Sequence, residues 1–276
     1  MAKLHHEYAP ASLTLAMNAA EGQLQLVLAE GARPLCLQTW DAPVRGTEIL
    51  APALRHMLTG LALQPQHIGR IACVRGPGSF TGIRLLLATA AALRRVINAK
   101  VAGLDYMQLL ALGAGRRHPA PQAGQHVWVL THARRGLVHA QPFRWLGEGT
   151  PPQAVAAVAL ISPAEACARM TQEVSTLPAL VLGSGLERNA EALQAGYPQL
   201  VRAPEALNIP ACHDLLTLTN SLDEAQWTEE DIEPLYVRPC DAVDNLPQLA
   251  LRQGLTPEQA AAELERMLQA APASLL

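Results

Sequence analysis

Between a short apolar run, residues 71–74, and a stretch rich in Leu and Ala, residues 83–97, lies Arg75-Gly76-Pro77-Gly78-Ser79-Phe80-Thr81-Gly82. Three glycines in so short a stretch, followed closely by Arg84, predict a tight turn from a buried strand into a helix. The start of such a helix exposes unpaired N–H groups and the positive end of the dipole. Gly76 and Gly78 let the backbone approach another group closely, and Ser79 or Thr81 can cap. This chemistry suits either an anion site or a turn that offers a surface to another protein. The spacing is not that of a P-loop, because no Lys follows the last glycine, and it is not G-x-G-x-x-G.

The flanking pattern extends the strand and helix assignment. Residues 12–17, 23–29 and 34–40 read as strands, with Gly22 and Gly31 at hairpin positions. Leu24, Leu26 and Leu28 alternate with Gln23, Gln25 and Val27, which predicts one buried face. Ile49, Leu50, Ala53, Leu54, Met57, Leu58 and Leu61 recur at helical spacing over 47–61. Pro52 requires the regular helix to begin near it. With a further strand at 100–102 the order is β-β-β-α-β-α-β, which predicts an α/β fold with a mixed sheet and helices packed on it. Residues 105–210 read as a second α/β unit, with helices at 105–114, 163–172 and 186–194 and strands at 126–130, 137–143 and 179–182. A helix over 211–222 and an extended exit over 233–238 follow. Thr256, Pro257 and Gln259 mark the start of a tail helix through a capping box, whose apolar stripe is Leu264, Met267, Leu268 and Ala271.

Composition excludes several functions. Half of the 276 residues are hydrophobic, enough for a sizeable core. Charged residues are 16% and the formal net charge is −3, so the chain is not built to grip nucleic acid by itself. Cys36, Cys73, Cys167, Cys212 and Cys240 are scattered and form no C-x-x-C pair. That argues against a disulfide framework or a cysteine zinc site and fits a reducing cytoplasm. The apolar run at 13–17 is too short for a signal peptide, and no stretch reaches the ~18 apolar residues of a membrane helix. His6-Glu7 is not followed by the second histidine of H-E-x-x-H, since position 10 is Pro10. His132 and His139 flank a predicted hairpin and are expected to face solvent. Ser79 lacks a nucleophile elbow. No catalytic residue, metal or cofactor is expected.

Val74 to Arg84 resembles, almost letter for letter, the signature of the TsaB (YeaZ) family. Gly46-Thr47-Glu48-Ile49-Leu50 is similar to that family's His-Ser-Glu helix start, and Val101-Ala102-Gly103-Leu104 to its next strand and turn. His132-Ala133-Arg134-Arg135-Gly136-Leu137-Val138 resembles its Asp-Ala-Arg-x-Gly-Glu-Val hairpin, and Pro234-Leu235-Tyr236-Val237-Arg238 its closing Tyr-x-Arg segment. The likeness covers roughly residues 12–240. It implies an actin/Hsp70-like (ASKHA) fold of two RNase-H-like subdomains with mixed sheets. These would be 1–104 with 211–243, then 105–210, with 244–276 as a helical tail. It also implies a non-catalytic scaffold in N6-threonylcarbamoylation of the adenosine beside the tRNA anticodon. The expected partners are a TsaD-like catalytic subunit and a TsaE-like ATPase, with tRNA met only through the complex.

On this resemblance the helices at 47–61 and 83–97 carry the partner contact, and a homodimer forms when the chain is alone. The candidate interface or anion-contact residues are Glu48, Arg75, Gly76, Pro77, Gly78, Ser79, Phe80, Thr81, Gly82, Arg84, Leu87 and Ala90. Leu87→Glu or Ala90→Arg is expected to break dimerisation and leave the fold intact. Where the family has Leu-Asp-Thr-Ser, this chain has Ala16-Met17-Asn18-Ala19-Ala20. An acidic residue there holds Mg²⁺ and nucleotide in active relatives, and Asn18 and Ala19 cannot supply that charge. Gly46 stands for a His and His132 for an Asp. The alternative function is a stand-alone nucleotide-dependent or glycoprotease-like hydrolase.

Overall fold

The computed structural model describes residues 9, 11–41, 46–173 and 177–237, together with Thr256, Gln259, Ala262 and Arg266. The fold divides between Leu235 and Tyr236, and both sheets belong to the first unit. Strands β1 (Leu13–Asn18), β2 (Leu24–Glu30) and β3 (Arg33–Trp40) form an antiparallel meander. Its turns put Gly22 at φ +56 and Gly31 at φ +55, a left-handed backbone that glycine adopts without cost. Helix α1 (Gly46–Gly60), strand β4 (Ile68–Gly76), helix α2 (Phe80–Ile97) and strand β5 (Lys100–Asp105) complete the first sheet. Its order is β3-β2-β1-β4-β5, with β4 parallel to both β1 and β5.

Helix α3 (Tyr106–Gly113) leads to the second sheet. There follow β6 (His126–Arg134), β7 (Leu137–Arg144), β8 (Gln153–Ala154) and β9 (Ala159–Ile161), then α4 (Pro163–Gln172) and β10 (Leu180–Leu182). Helices α5 (Ser184–Arg188) and α6 (Ala190–Gly196), strand β11 (Val201–Arg202) and helix α7 (Cys212–Asn220) finish it. The order is β11-β10-β6-β7-β8, with β9 also on β7. Strands β6 and β7 are antiparallel, whereas β10 runs parallel to β6 and β11 to β10. Each sheet is thus a meander extended by two parallel strands.

Three apolar clusters set the layers. Leu15, Met17, Leu26 and Ile71 of the first sheet pack with Leu50, Met57 and Leu86 of α1 and α2. Ala16, Val27 and Val74, on the opposite face, pack with α3, α7 and residues of the second sheet such as Val129 and Leu182. Trp128, Leu130 and Val181 pack outward with Ala166, Met170 and Leu193 of α4 and α6. Both faces of each sheet are therefore covered. Helix α3 is buried nearly all round, the expected state of a helix apolar on every side.

Tertiary contacts overturn some sequence expectations. Strand β2 is buried on both faces, because α7 covers the side that carries Gln25. Helix α1 begins at Gly46, so Pro52 lies inside it, on an exposed face where the missing N–H leaves a carbonyl near solvent. The helix predicted over 186–194 is two helices, broken at Asn189, whose side-chain amide donates to the Gly185 carbonyl at 2.8 Å. Strands β8, β9 and β11, of two or three residues each, carry no readable alternation. The Thr256–Gln259 capping box is present, at 2.9 and 3.3 Å. Pro257 and the predicted stripe of Leu264, Met267, Leu268 and Ala271 lie outside the described residues.

The edge of β5 is covered by the last segment of the first unit. Val101 and Thr228 exchange backbone hydrogen bonds at 2.8 Å, and Leu235 N–H donates to the Arg75 carbonyl at 2.8 Å. Ion pairs fix this segment: Arg70 and Lys100 hold Glu224 at 2.5 and 2.8 Å, while Arg94 and Arg95 hold Asp231 at 3.0 and 2.5 Å.

Candidate functional site

The glycine-rich turn closes β4 and opens α2. Gly76 sits at φ +125, and a Cβ there would lie 3.0 Å from the Leu235 carbonyl oxygen. Pro77 is buried. Ser79 is the N-cap: its hydroxyl accepts from Gly82 N–H at 3.2 Å, so Phe80, Thr81 and Gly82 belong to the first helical turn rather than to a loop. A Cβ on Gly78 would lie 2.4 Å from the Ala20 oxygen, and one on Gly82 only 2.2 Å from the Ala19 oxygen. Ser79 N–H donates to that same Ala20 carbonyl at 2.6 Å. The close approach these glycines permit is made to the chain's own β1–β2 turn.

Just before that turn stands Asn18, the last residue of β1. Asn18 is 1% exposed. Its amide donates to Gln25 Oε1 at 2.8 Å, and its oxygen accepts from Ala20 N–H at 3.0 Å. Gln25 in turn donates to the Pro210 carbonyl at 2.7 Å. The position is neutral, and its donor and acceptor are both engaged inside the protein.

Arg75 lays its stem over Gly103 and pairs its guanidinium with Asp105 at 2.9 Å. Outward from the turn, Phe80 is 47% exposed and Arg84 places its guanidinium 3.8 Å from the ring centroid, a cation–π contact. Thr81 is exposed, as is Glu48 in the first turn of α1. The open face of α2 is Arg84, Ala88, Ala92 and Val96, spaced four apart. Leu87 is half-buried and packs on the core beneath. Ala90 differs from expectation. It is 2% exposed and part of that core, so Ala90→Arg would disturb the fold, and Ala88 is the residue that fits an interface test.

Sequence reasoning missed Glu21, the residue after Ala20. Its carboxylate accepts from the Ser184 hydroxyl at 2.7 Å and from the Tyr106 hydroxyl at 3.3 Å. Burial pushes its pKa up, against the opposing pull of Ser184, Tyr106 and Arg188. Tyr106 is pushed well up by its own burial and by Glu21. Ser184 also accepts from the His132 backbone N–H at 2.9 Å. Burial, and then Arg188, lower the His132 pKa. A glutamate before Gly22 reads as a solvated turn, and nothing local marks a partner 163 residues away.

His139 also differs from expectation. It is 7% exposed, with Nδ1 3.3 Å from the Thr131 hydroxyl, because β7 is central in its sheet. Among the described residues no three His, Cys, Asp or Glu side chains are grouped to hold a metal ion, and no helix is long and apolar enough to cross a membrane.

Two sheets of the same order, each a meander plus two parallel strands with helices packed on them, define an α/β protein of the actin/Hsp70-like class, two RNase-H-like halves. Solved structures agree on the fold. YeaZ from Pseudomonas aeruginosa matches at TM-score 0.68 and 21% identity, over 82% of this chain and 99% of that one. A second Pseudomonas aeruginosa structure, of an uncharacterized protein with similarity to peptidase YEAZ, matches at 0.67 and 21%, over 82% and 100%. The family model described as TsaD: tRNA N6-adenosine threonylcarbamoyltransferase matches residues 45–238, and the chain belongs to that family. It is similar to the tRNA threonylcarbamoyladenosine biosynthesis protein TsaB of Escherichia coli (strain K12). Identity there is 27% over 214 residues, 74% of this chain and 86% of that protein. The resemblance to TsaB (YeaZ) read from the turn at Val74 to Arg84 stands.

Proposed function

We propose that this chain is a non-catalytic scaffold which pairs with a TsaD-like catalytic subunit in the N6-threonylcarbamoylation of the adenosine beside the tRNA anticodon. One observation carries the reading. At the β1–β2 turn, where an active member of this fold needs an acidic residue for Mg²⁺ and nucleotide, Asn18 is neutral and its amide is engaged on both sides. The transferase activity in the family description is then the partner's. The exposed faces of α1 and α2, with Phe80 and Arg84 at one end, offer the docking surface, and small Ala88 and Ala92 allow close helix approach.

In this reading a TsaE-like ATPase joins the pair in the cytoplasm. tRNA is met only indirectly, since a net charge of −3 favours no phosphate grip. The same α1/α2 face makes a homodimer when the partner is missing. The proposed subdomains are 1–104 with 211–243 against 105–210, followed by 244–276 as a tail; residues 238–243 and most of 244–276 lie outside the described residues. Reconstitution from purified components tests it. The chain alone yields no threonylcarbamoyladenosine and hydrolyses no nucleotide, and adding it to the TsaD-like and TsaE-like proteins raises product formation. Nucleotide or peptide turnover by the chain alone would make it a stand-alone hydrolase instead.

A further inference from the structure

Glu21, in the β1–β2 turn, hydrogen-bonds to the second half of the molecule. It ties that turn to Ser184 at the start of α5, to Tyr106 at the start of α3 and, through Ser184, to the backbone of β6 at His132. One residue earlier the same turn gives its Ala20 carbonyl to Ser79, the N-cap of α2, and two of the turn's carbonyls seat Gly78 and Gly82. The same turn thus carries both the Glu21 contacts to the second half and the support of the first turn of α2. We infer that Glu21 is a positioning residue, a latch between the two halves that sets the placement of α2 and so links their closure to the docking face. The link to docking rests on the function proposed above, whereas the latch itself does not.

The latch carries a pH dependence of definite sign. The groups facing the Glu21 carboxylate are Ser184 and Arg188 from α5 and Tyr106 from α3, and His132 joins only through its backbone. Burial dominates and raises its pKa, so the closed form binds the proton more tightly than an open form with Glu21 in water. Closure is strongest below the open-state value and weakens as pH rises through the raised one.

Hydrogen–deuterium exchange on the full chain, without partner, tests the latch. The readouts are the protection factors of the Ser79 amide and of the 18–22 backbone, corrected for intrinsic rate. In the wild type, protection falls as pH rises. Glu21→Gln keeps an acceptor, is neutral throughout and gives a flat profile. Glu21→Ala lowers Ser79 protection by about tenfold or more at every pH, and Ser184→Ala shifts it in the same direction. Ser79 protection within about twofold of wild type in Glu21→Ala, or a pH slope that survives in Glu21→Gln, overturns the latch. Affinity for the TsaD-like subunit is a separate measurement. The inference expects Glu21→Ala to weaken it by about fivefold or more. Lost protection with unchanged affinity leaves the latch standing and removes its link to docking.

Discussion

Replacing Gly82 by alanine should destabilise the protein, although the same change in most helices does the opposite. Gly82 lies in the first turn of α2, where alanine gains about 0.5–1 kcal/mol in helix propensity. A Cβ there falls 2.2 Å from the Ala19 carbonyl oxygen, a backbone atom with no rotamer to yield. Relief requires α2 to lift from the β1–β2 turn, which stretches the 2.6 Å bond from Ser79 N–H to Ala20. Overpacking of this kind costs about 1–3 kcal/mol, and one strained or lost hydrogen bond about 0.5–1.5 kcal/mol. After the propensity gain, a net loss of about 0.5–4 kcal/mol remains. Gly60, at the end of α1, is the control: nothing lies within 4 Å of where an alanine methyl would sit, and Gly60→Ala should gain up to about 0.5–1 kcal/mol. Urea denaturation of both variants with a shared m-value measures the difference. A Gly82→Ala protein as stable as wild type would refute the packed-turn explanation of the motif.

Other outcomes follow from the same contacts. Ala88→Arg should leave stability within about 0.5 kcal/mol, whereas Ala90→Arg should cost about 3 kcal/mol or more by forcing a long cation into the core; thermal melts separate them. Asn18→Asp turns a donor to Gln25 Oε1 into an acceptor, and Gln25 cannot flip without losing Pro210. It should cost about 1–3 kcal/mol and confer no hydrolysis of Mg-ATP, checked by denaturation and a phosphate-release assay. Arg95, then Arg94, hold the Asp231 carboxylate below its ordinary value. Its contribution is present above the unfolded pKa of about 3.9 and is lost as pH falls through the lower folded value. Asp231→Asn should therefore melt earlier than wild type at pH 7, with the gap closing in strong acid.

Period and punctuation made the first half of the molecule legible. Gly22 and Gly31 fixed the hairpins, and the apolar spacing in α1 and α2 fixed which sides face the sheet. The interface assignment failed at Ala90 for a related reason: Ala is compatible with a core or a surface, and only its position relative to Leu86 and Leu87 decides. Gln25 and His139 were misread because local alternation cannot know that α3 and α7 fill the space between the two sheets. The turn itself was legible as a special backbone, yet what its glycines touch was not. Ala19 and Ala20 lie some 60 residues before it, and their carbonyls carry no residue-type signal. Glu21 and Ser184 are further apart still, and each looks ordinary alone.

Sedimentation of the purified chain mixed with its TsaD-like relative bears on the scaffold claim without any intermediate assumption. A one-to-one heterodimer that forms with wild type and disappears with the stably folded Ala88→Arg variant is the predicted result. Two species that sediment apart, or a complex indifferent to Ala88→Arg, would contradict docking through α2.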